Sequence, residues 1–258
     1  PGCTYGGLLV PRRAKADLVQ QIVRAIMAYA RECSFDRLVI TPPPELYHRD
    51  FCQQIDFVLQ MEEFDHRLIG LSTCVPLDGR TDEDLSSALG SNCAWAVRKG
   101  KRDGVEVSET DDFSTFWEIL RENLSVHGVS PVHSVQEIRV LQERFPDRIR
   151  LFGAFLDGAM VAGSVVFLAT ETVAHTQYLG AQAQVQQHRP MNVLIWEIMR
   201  WARDQGMKWI NFGVSTESEG RVVNWGLLRF KESFGGVGVV HRRYRLDLGR
   251  DGVNGPDE

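Results

Sequence analysis

Ile149-Arg150-Leu151-Phe152-Gly153-Ala154-Phe155-Leu156-Asp157-Gly158-Ala159-Met160-Val161-Ala162-Gly163-Ser164-Val165-Val166-Phe167-Leu168 consists of two apolar runs joined by Asp-Gly. That pair between two strand-like runs is a strong hairpin signal, so 149–156 and 160–169 read as antiparallel strands. A third strand follows over 172–179, then a long amphipathic helix over 191–205 with Gly206 as its C-cap. A strand at 209–213, a short helix at 225–232 and a strand at 237–246 come after it. Ahead of the hairpin lie a helix at 82–99, a strand at 105–108 and helices at 111–126 and 133–145. Ser134 and Glu137 form a capping box for the last of these. Helices, then an antiparallel meander, then a helix and a last strand pair predict an α/β chain of the α+β type. Its sheets are mixed and mostly antiparallel with flanking helices, rather than doubly wound and parallel.

The same order begins earlier in the chain. Tyr5-Gly6-Gly7-Leu8-Leu9-Val10 reads as a strand end, 16–31 as an amphipathic helix and Arg37-Leu38-Val39-Ile40 as a short buried strand stopped by Pro42-Pro43-Pro44. A strand follows at 63–72. Tyr29-Ala30-Arg31-Glu32-Cys33-Ser34-Phe35-Asp36-Arg37-Leu38-Val39-Ile40 aligns without a gap on Trp201-Ala202-Arg203-Asp204-Gln205-Gly206-Met207-Lys208-Trp209-Ile210-Asn211-Phe212. Upstream of the two segments, Tyr5-Gly6-Gly7 matches Tyr178-Leu179-Gly180. Two tandem lobes of one fold are expected, divided in the acidic turn at 78–84. The expected boundaries are 1–77 for the back part of a first lobe, 78–248 for a complete second lobe and 249–258 for a frayed tail. The repeat thus predicts a first lobe that is N-terminally incomplete, with a native chain longer by roughly 70–100 residues.

The 258 residues are 43% hydrophobic and 24% charged, which excludes a disordered or collagen-like chain. A net charge of −5 argues against a whole-surface nucleic-acid binder but leaves room for a local basic groove. Five scattered cysteines, none spaced as CxxC, suit neither a disulfide framework nor a zinc cluster, and point to a reducing compartment, the cytoplasm. No apolar run approaches the ~20 residues that span a bilayer. No GxxxxGK[ST], strand-linked GxGxxG, HExxH or GxSxG occurs, and the seven histidines show no metal-ligand spacing, so no metal is expected.

Four segments remain as chemistry. Arg98-Lys99-Gly100-Lys101-Arg102 ends a helix, where cations complement the dipole or clamp the phosphates of a nucleotide, a CoA or a tRNA. Gln187-His188-Arg189-Pro190-Met191-Asn192 opens the long helix, and free N–H groups there hold anions. Asn211-Phe212-Gly213 ends a buried strand where Gly213 allows positive φ or close approach. Phe230-Lys231-Glu232-Ser233-Phe234-Gly235-Gly236 sets a cation between aromatics, either snorkelling or aimed into a cleft toward a carbonyl oxygen. His175 is a candidate base, against a structural role for a lone strand histidine.

Together with Asn192-Val193-Leu194-Ile195-Trp196 and Trp201-Ala202, these segments resemble the FemAB-like branch of the GNAT acyltransferase superfamily. Pro43-Pro44-Glu45-Leu46-Tyr47-His48 is similar to the later part of that family's first lobe. The resemblance implies tandem GNAT-like lobes and formation of an amide by direct attack of an amine on an activated carbonyl. The donor it implies is an aminoacyl-tRNA or an acyl-CoA, used as co-substrate with no covalently bound cofactor. The acceptor is a small-molecule or a peptide- or lipid-linked amine. Lys231 falls in the FK-x-x-FG motif as electrostatic stabiliser and, with His175 and Tyr178, makes up the catalytic set. Arg98, Lys99, Lys101, Asn192, Trp196, Asn211, Gly213 and Tyr47 are the donor- and substrate-binding candidates. The chain departs from the family at His188-Arg189-Pro190-Met191-Asn192-Val193, where GNAT enzymes carry a Gly-containing CoA turn, and at Asn211, where this branch has an acid. Two rival assignments follow: an ordinary acyl-CoA N-acetyltransferase, or a non-catalytic binding protein that kept the fold.

Overall fold

A computed structural model describes residues 5–50, 52–125 and 128–249. Cys3 and the expected frayed tail beyond 249 lie outside the described residues. The chain forms two compact units. The first comprises the residues up to Leu71, Thr216–Val223 and the chain from Val239 on; the second comprises Ser72–Ser215 and Asn224–Gly238.

The first unit opens with helix α1 (Ala16–Glu32), strand β1 (Arg37–Ile40), helix α2 (Gln54–Met61) and the front of strand β2 (Asp65–Pro76). Val19, Val23, Met27 and Ala30 form the buried stripe of α1, and the first three cluster with Ile55, Val58 and Leu59 of α2. Helix α2 was not expected, although Ile55, Val58 and Leu59 stand at helical spacing. Tyr5–Val10 does not form the expected strand: Gly6 makes only an isolated antiparallel bridge to Thr41. Pro42, directly after Thr41, has no N–H with which to extend the pairing on its side.

The second unit follows the predicted order. Helices α3 (Asp82–Ala88) and α4 (Ser91–Arg102) lead to strand β3 (Glu106–Glu109), helices α5 (Phe113–Ser125) and α6 (Val135–Arg144), and strands β4 (Ile149–Leu156), β5 (Ala159–Leu168) and β6 (Val173–Ala181). Helix α7 (Pro190–Asp204) and strand β7 (Trp209–Val214) come next. The ribbon β8 (Thr216–Glu217) and β9 (Val222–Val223) belongs to the first unit, helix α8 (Trp225–Glu232) to the second, and strand β10 (Val237–Asp247) runs from the second into the first. Strands β3, β4, β5 and β6 pair antiparallel in sequence, and β6 pairs β7 in parallel. Asp157 and Gly158 have φ of 51° and 80°, the two positive values of a type I′ turn. Both halves of the Ser134–Glu137 capping box are made. The helix expected over 82–99 is two helices, broken at Leu89 and Gly90. Leu89 is extended there, and the Gly90 N–H donates to Ser233 O at 2.8 Å, a bond that a continuous helix would not allow.

The repeat is larger than the aligned segment. Shifting by the same 172 residues carries Glu32 at the end of α1 to Asp204 at the end of α7, Arg37 of β1 to Trp209 of β7, and Asp65 of β2 to Val237 of β10. Helices α2 and α8 match to within one residue. Each copy is completed by the last strand of the other. Strand β10 pairs β1 (Arg37↔Asp247), and the end of β2 pairs β7 (Pro76↔Trp209).

The two helix ends are built alike. Phe35 N–H donates to Ala30 O at 2.9 Å and Met207 N–H to Ala202 O at 3.0 Å, each closing a turn around a left-handed residue. That residue is Ser34 (φ 57°) in one copy and Gly206 (φ 79°) in the other. Only glycine adopts this conformation without a Cβ clash. Ser34→Gly is therefore expected to stabilise the fold by about 1 kcal/mol and Gly206→Ser to destabilise it by about as much. Urea midpoints measure both, and a lower midpoint for Ser34→Gly contradicts the assignment of the turn.

Candidate active site

Strands β6 and β7 pair over only three positions, from Val173↔Trp209 to His175↔Asn211, and part beyond them. A parted strand leaves main-chain groups that need other partners. Thr176 Oγ1 donates to Asn211 O at 3.4 Å, and Asn211 Oδ1 accepts from Gly213 N–H at 2.7 Å. Gly213 sits at φ 72°, which turns the chain. Lys231 Nζ then donates to Gly213 O at 3.0 Å and to Val214 O at 2.8 Å. Lys231 is 4% exposed. Burial pushes its pKa down to about 8, against a smaller opposite pull from Cys74. Burial in turn pushes the Cys74 thiol up to about 12. Asn211, Gly213, Lys231 and His175 thus meet at the divergence, with His175 Cε1 beside Gly213.

A cavity of about 910 Å³ opens in this unit among α4, the end of β6, the start of α7 and α8. Its walls are mainly apolar, with Ala96, Leu179, Met191, Leu227 and Phe230 among the lining residues. Asn123 Nδ2 ties the wall by donating to Ala181 O at 3.3 Å. Asn192 also lines it, its Nδ2 lying 3.8 Å from the buried Cys93 sulfur. Trp95, Arg189 and Arg229 also line it, with the polar side chains of Asn92, Gln186 and Ser233, and the Arg189 guanidinium sits 5.6 Å over the Trp95 ring.

The start of α7 is a weak anion cradle. Pro190 has no N–H, Arg189 N–H is spent on Gln186 O, and the N–H groups of Asn192 and Val193 turn back to Arg189 O. Arg189 caps the helix in the left-handed conformation with no side-chain cap bond. Little main chain is left to surround a pyrophosphate.

Of the catalytic and donor- or substrate-binding candidates, Asn192 alone lines this cavity, although Arg189, Pro190, Met191, Phe230 and Ser233 of the segments singled out with them line it too. Lys99 pairs with Asp103, which also meets His188 Nδ1 at 3.0 Å. Lys101 pairs with Glu197 at 2.5 Å and lies 5.9 Å over the buried Trp196 ring. Arg98 is exposed on α4. Tyr178 packs edge-on to Trp117, in the apolar cluster of α5 and α6, and its hydroxyl meets His133 Nδ1 at 2.6 Å. Tyr47 lies in the first unit, stacked near Tyr5 in a separate cavity of about 680 Å³. Trp95 and Arg229 were missed. Trp95 did carry a signal, because Cys93, Ala96, Val97 and Gly100 form the buried face of α4 and an indole stands off that face.

The profile of a domain described as "Acetyltransferase (GNAT) domain" matches residues 91–231. The chain belongs to that family. This GNAT chain is accordingly an acyltransferase, and three solved structures share its fold. FemX is 13% identical with a TM-score of 0.74, covering 95% of this chain and 81% of its own. L-PGS from Bacillus licheniformis is 14% identical with a TM-score of 0.63, covering 88% and 73%. A tandem GNAT protein from the clavulanic acid biosynthesis pathway is 14% identical with a TM-score of 0.52, covering 95% and 74%. No curated protein matches the sequence. Among the described residues no helix is long and apolar enough to cross a membrane.

Proposed function

We propose that this GNAT chain forms an amide by moving an acyl or aminoacyl group from an activated donor to an amine. The observation that carries this is the parting of β6 from β7 after His175↔Asn211, in a unit whose apolar cavity is lined by Leu179 further along β6 and by Phe230, the neighbour of Lys231 in sequence. Beyond that point β7 no longer pairs the main-chain N–H groups of β6 that face it, and these are the donors available to a developing oxyanion. Attack by a neutral amine then needs positioning and removal of one proton. His175, next to Gly213, is the proposed base. Lys231 acts as a positioning residue, because its ammonium holds the carbonyls of the turned strand. The sparse N–H groups at the start of α7 favour aminoacyl-tRNA over acyl-CoA as donor. The acceptor proposed is a peptide-linked amine, in line with the resemblance to the FemAB-like branch.

The test is amide formation by the full chain, given labelled aminoacyl-tRNA or acetyl-CoA in parallel with a panel of amines. Turnover with the tRNA arm is expected. Turnover with acetyl-CoA alone would make the chain an ordinary N-acetyltransferase. Tight donor binding without turnover on any amine would instead indicate a binding protein.

A further inference from the structure

We infer that Trp95 is a stacking platform for the adenine ring of the donor, with Arg189 and Arg229 taking the adjoining phosphates. This rests on the transferase assignment above, since both donor classes end in an adenosine phosphate, but it assigns residues that the family pattern does not. Trp95 projects from α4 at 48% exposure, although the buried face of that helix is formed by Cys93, Ala96, Val97 and Gly100. An indole left half in water on the lip of a cavity offers a face to a flat ring. Arg189 lies 5.6 Å over that ring and is exposed, as is Arg229 across the cavity on α8.

Three carboxylates of this region are engaged elsewhere. Asp103 serves Lys99 and His188, Glu197 serves Lys101 and Arg200, and Asp82 serves Arg200 and Arg203. Among the described residues neither Arg189 nor Arg229 has an acidic partner, so both remain available to an external anion. Arg189 also holds a left-handed conformation at φ 57°, a strained state for a side-chain-bearing residue. Glycine would serve the backbone better there, and the guanidinium over Trp95 is what arginine adds. A cavity of about 910 Å³ is large enough for a nucleotide together with the group it carries.

Two probes distinguish the sources of the shared chemistry: adenosine 3′,5′-bisphosphate for a CoA-type donor, and an RNA minihelix ending in CCA for a tRNA. Binding of at least one to the full-length chain is expected. Trp95→Ala should weaken it by about 5- to 150-fold, the usual worth of one stacked base, whereas Trp95→Phe should retain most of the affinity. Arg189→Gly should weaken binding without lowering the melting temperature, since glycine accepts the conformation. Wild-type binding of neither probe overturns the inference, and so does unchanged affinity in Trp95→Ala. The transferase assignment fails separately. Amide formation that Trp95→Ala leaves intact at subsaturating donor would refute the stacking site alone, whereas probe binding weakened by Trp95→Ala without any turnover would refute the transfer chemistry alone.

Discussion

In Lys231→Ala the unfolding free energy is expected to fall by about 3 kcal/mol, because the substitution leaves two carbonyls without their donor and a void where the stem packed. The carbonyls are those of Gly213 and Val214, at the point where β7 leaves β6. Turnover should fall with stability, by roughly 100-fold, because a strand end displaced by an ångström misplaces the reacting groups. Lys231→Met keeps the packed stem and isolates the contribution of the ammonium.

Lys231 also predicts a pH dependence of definite sign. Its folded pKa, about 8, lies below the ordinary lysine value because burial disfavours the charged form. Below pH 8 both folded and unfolded chains carry the proton, and the group adds no slope. Between pH 8 and about 10.4 the unfolded chain keeps a proton that the folded chain has released, so stability rises with pH. The gain across that window is about 3 kcal/mol. Denaturant midpoints of the wild type minus those of Lys231→Met should show the rise. A flat difference from about pH 7.5 to about pH 11, roughly half a unit outside the window on each side, would mean that the ammonium stays charged in the fold.

Gly100→Ala is expected to cost about 2 kcal/mol, although alanine is the better helix former by about 1 kcal/mol. Gly100 lies inside α4, and a Cβ there would sit 2.8 Å from His188 O and 2.5 Å from Val193 Cγ2. The obstacle is partly main chain at the entry to α7, which cannot swing aside as a flexible side chain would. The helix should be pushed off the His188–Arg189 segment, carrying Trp95 away from Arg189, so donor affinity should drop along with stability. Gly226→Ala on α8 provides the contrast. Its Cβ would meet only Asn224 Oδ1, at 3.6 Å, and helix propensity should make it stabilising by about 0.5–1 kcal/mol. Thermal and chemical unfolding of the pair test the opposite signs. A stable Gly100→Ala with unchanged donor affinity would show that α4 can retreat freely.

The local elements were legible where one short-range rule governed them. Asp157-Gly158 imposed its turn on 149–168, and Ser134 with Glu137 started α6 where the capping rule placed it. The charged residues were the poorest guides. Arg98-Lys99-Gly100-Lys101-Arg102 suggested a phosphate clamp, yet Lys101 is neutralised by Glu197, 96 residues further along the chain. Such a pairing depends on how α4 packs on α7, which no window of sequence contains. Lys231 shows the same limit from the other side. Its motif singled it out, but the direction of its ammonium, toward two carbonyls, followed from the divergence of β6 and β7.

The sequence by itself determined the order of strands and helices in the second unit and the presence of a repeat, because periodicity and turn chemistry act over a few residues. The hairpin 149–168 lies between β6 and the edge strand β3, with both of its strands largely buried. Tertiary structure alone decided that each copy of the repeat borrows its last strand from the other. It also decided that Trp95, Arg189 and Arg229, separated by 94 and 40 residues in sequence, line one cavity. Burial, ion pairing and cavity shape are properties of neighbours in space, and the packing of α4, α7 and α8 supplies those neighbours.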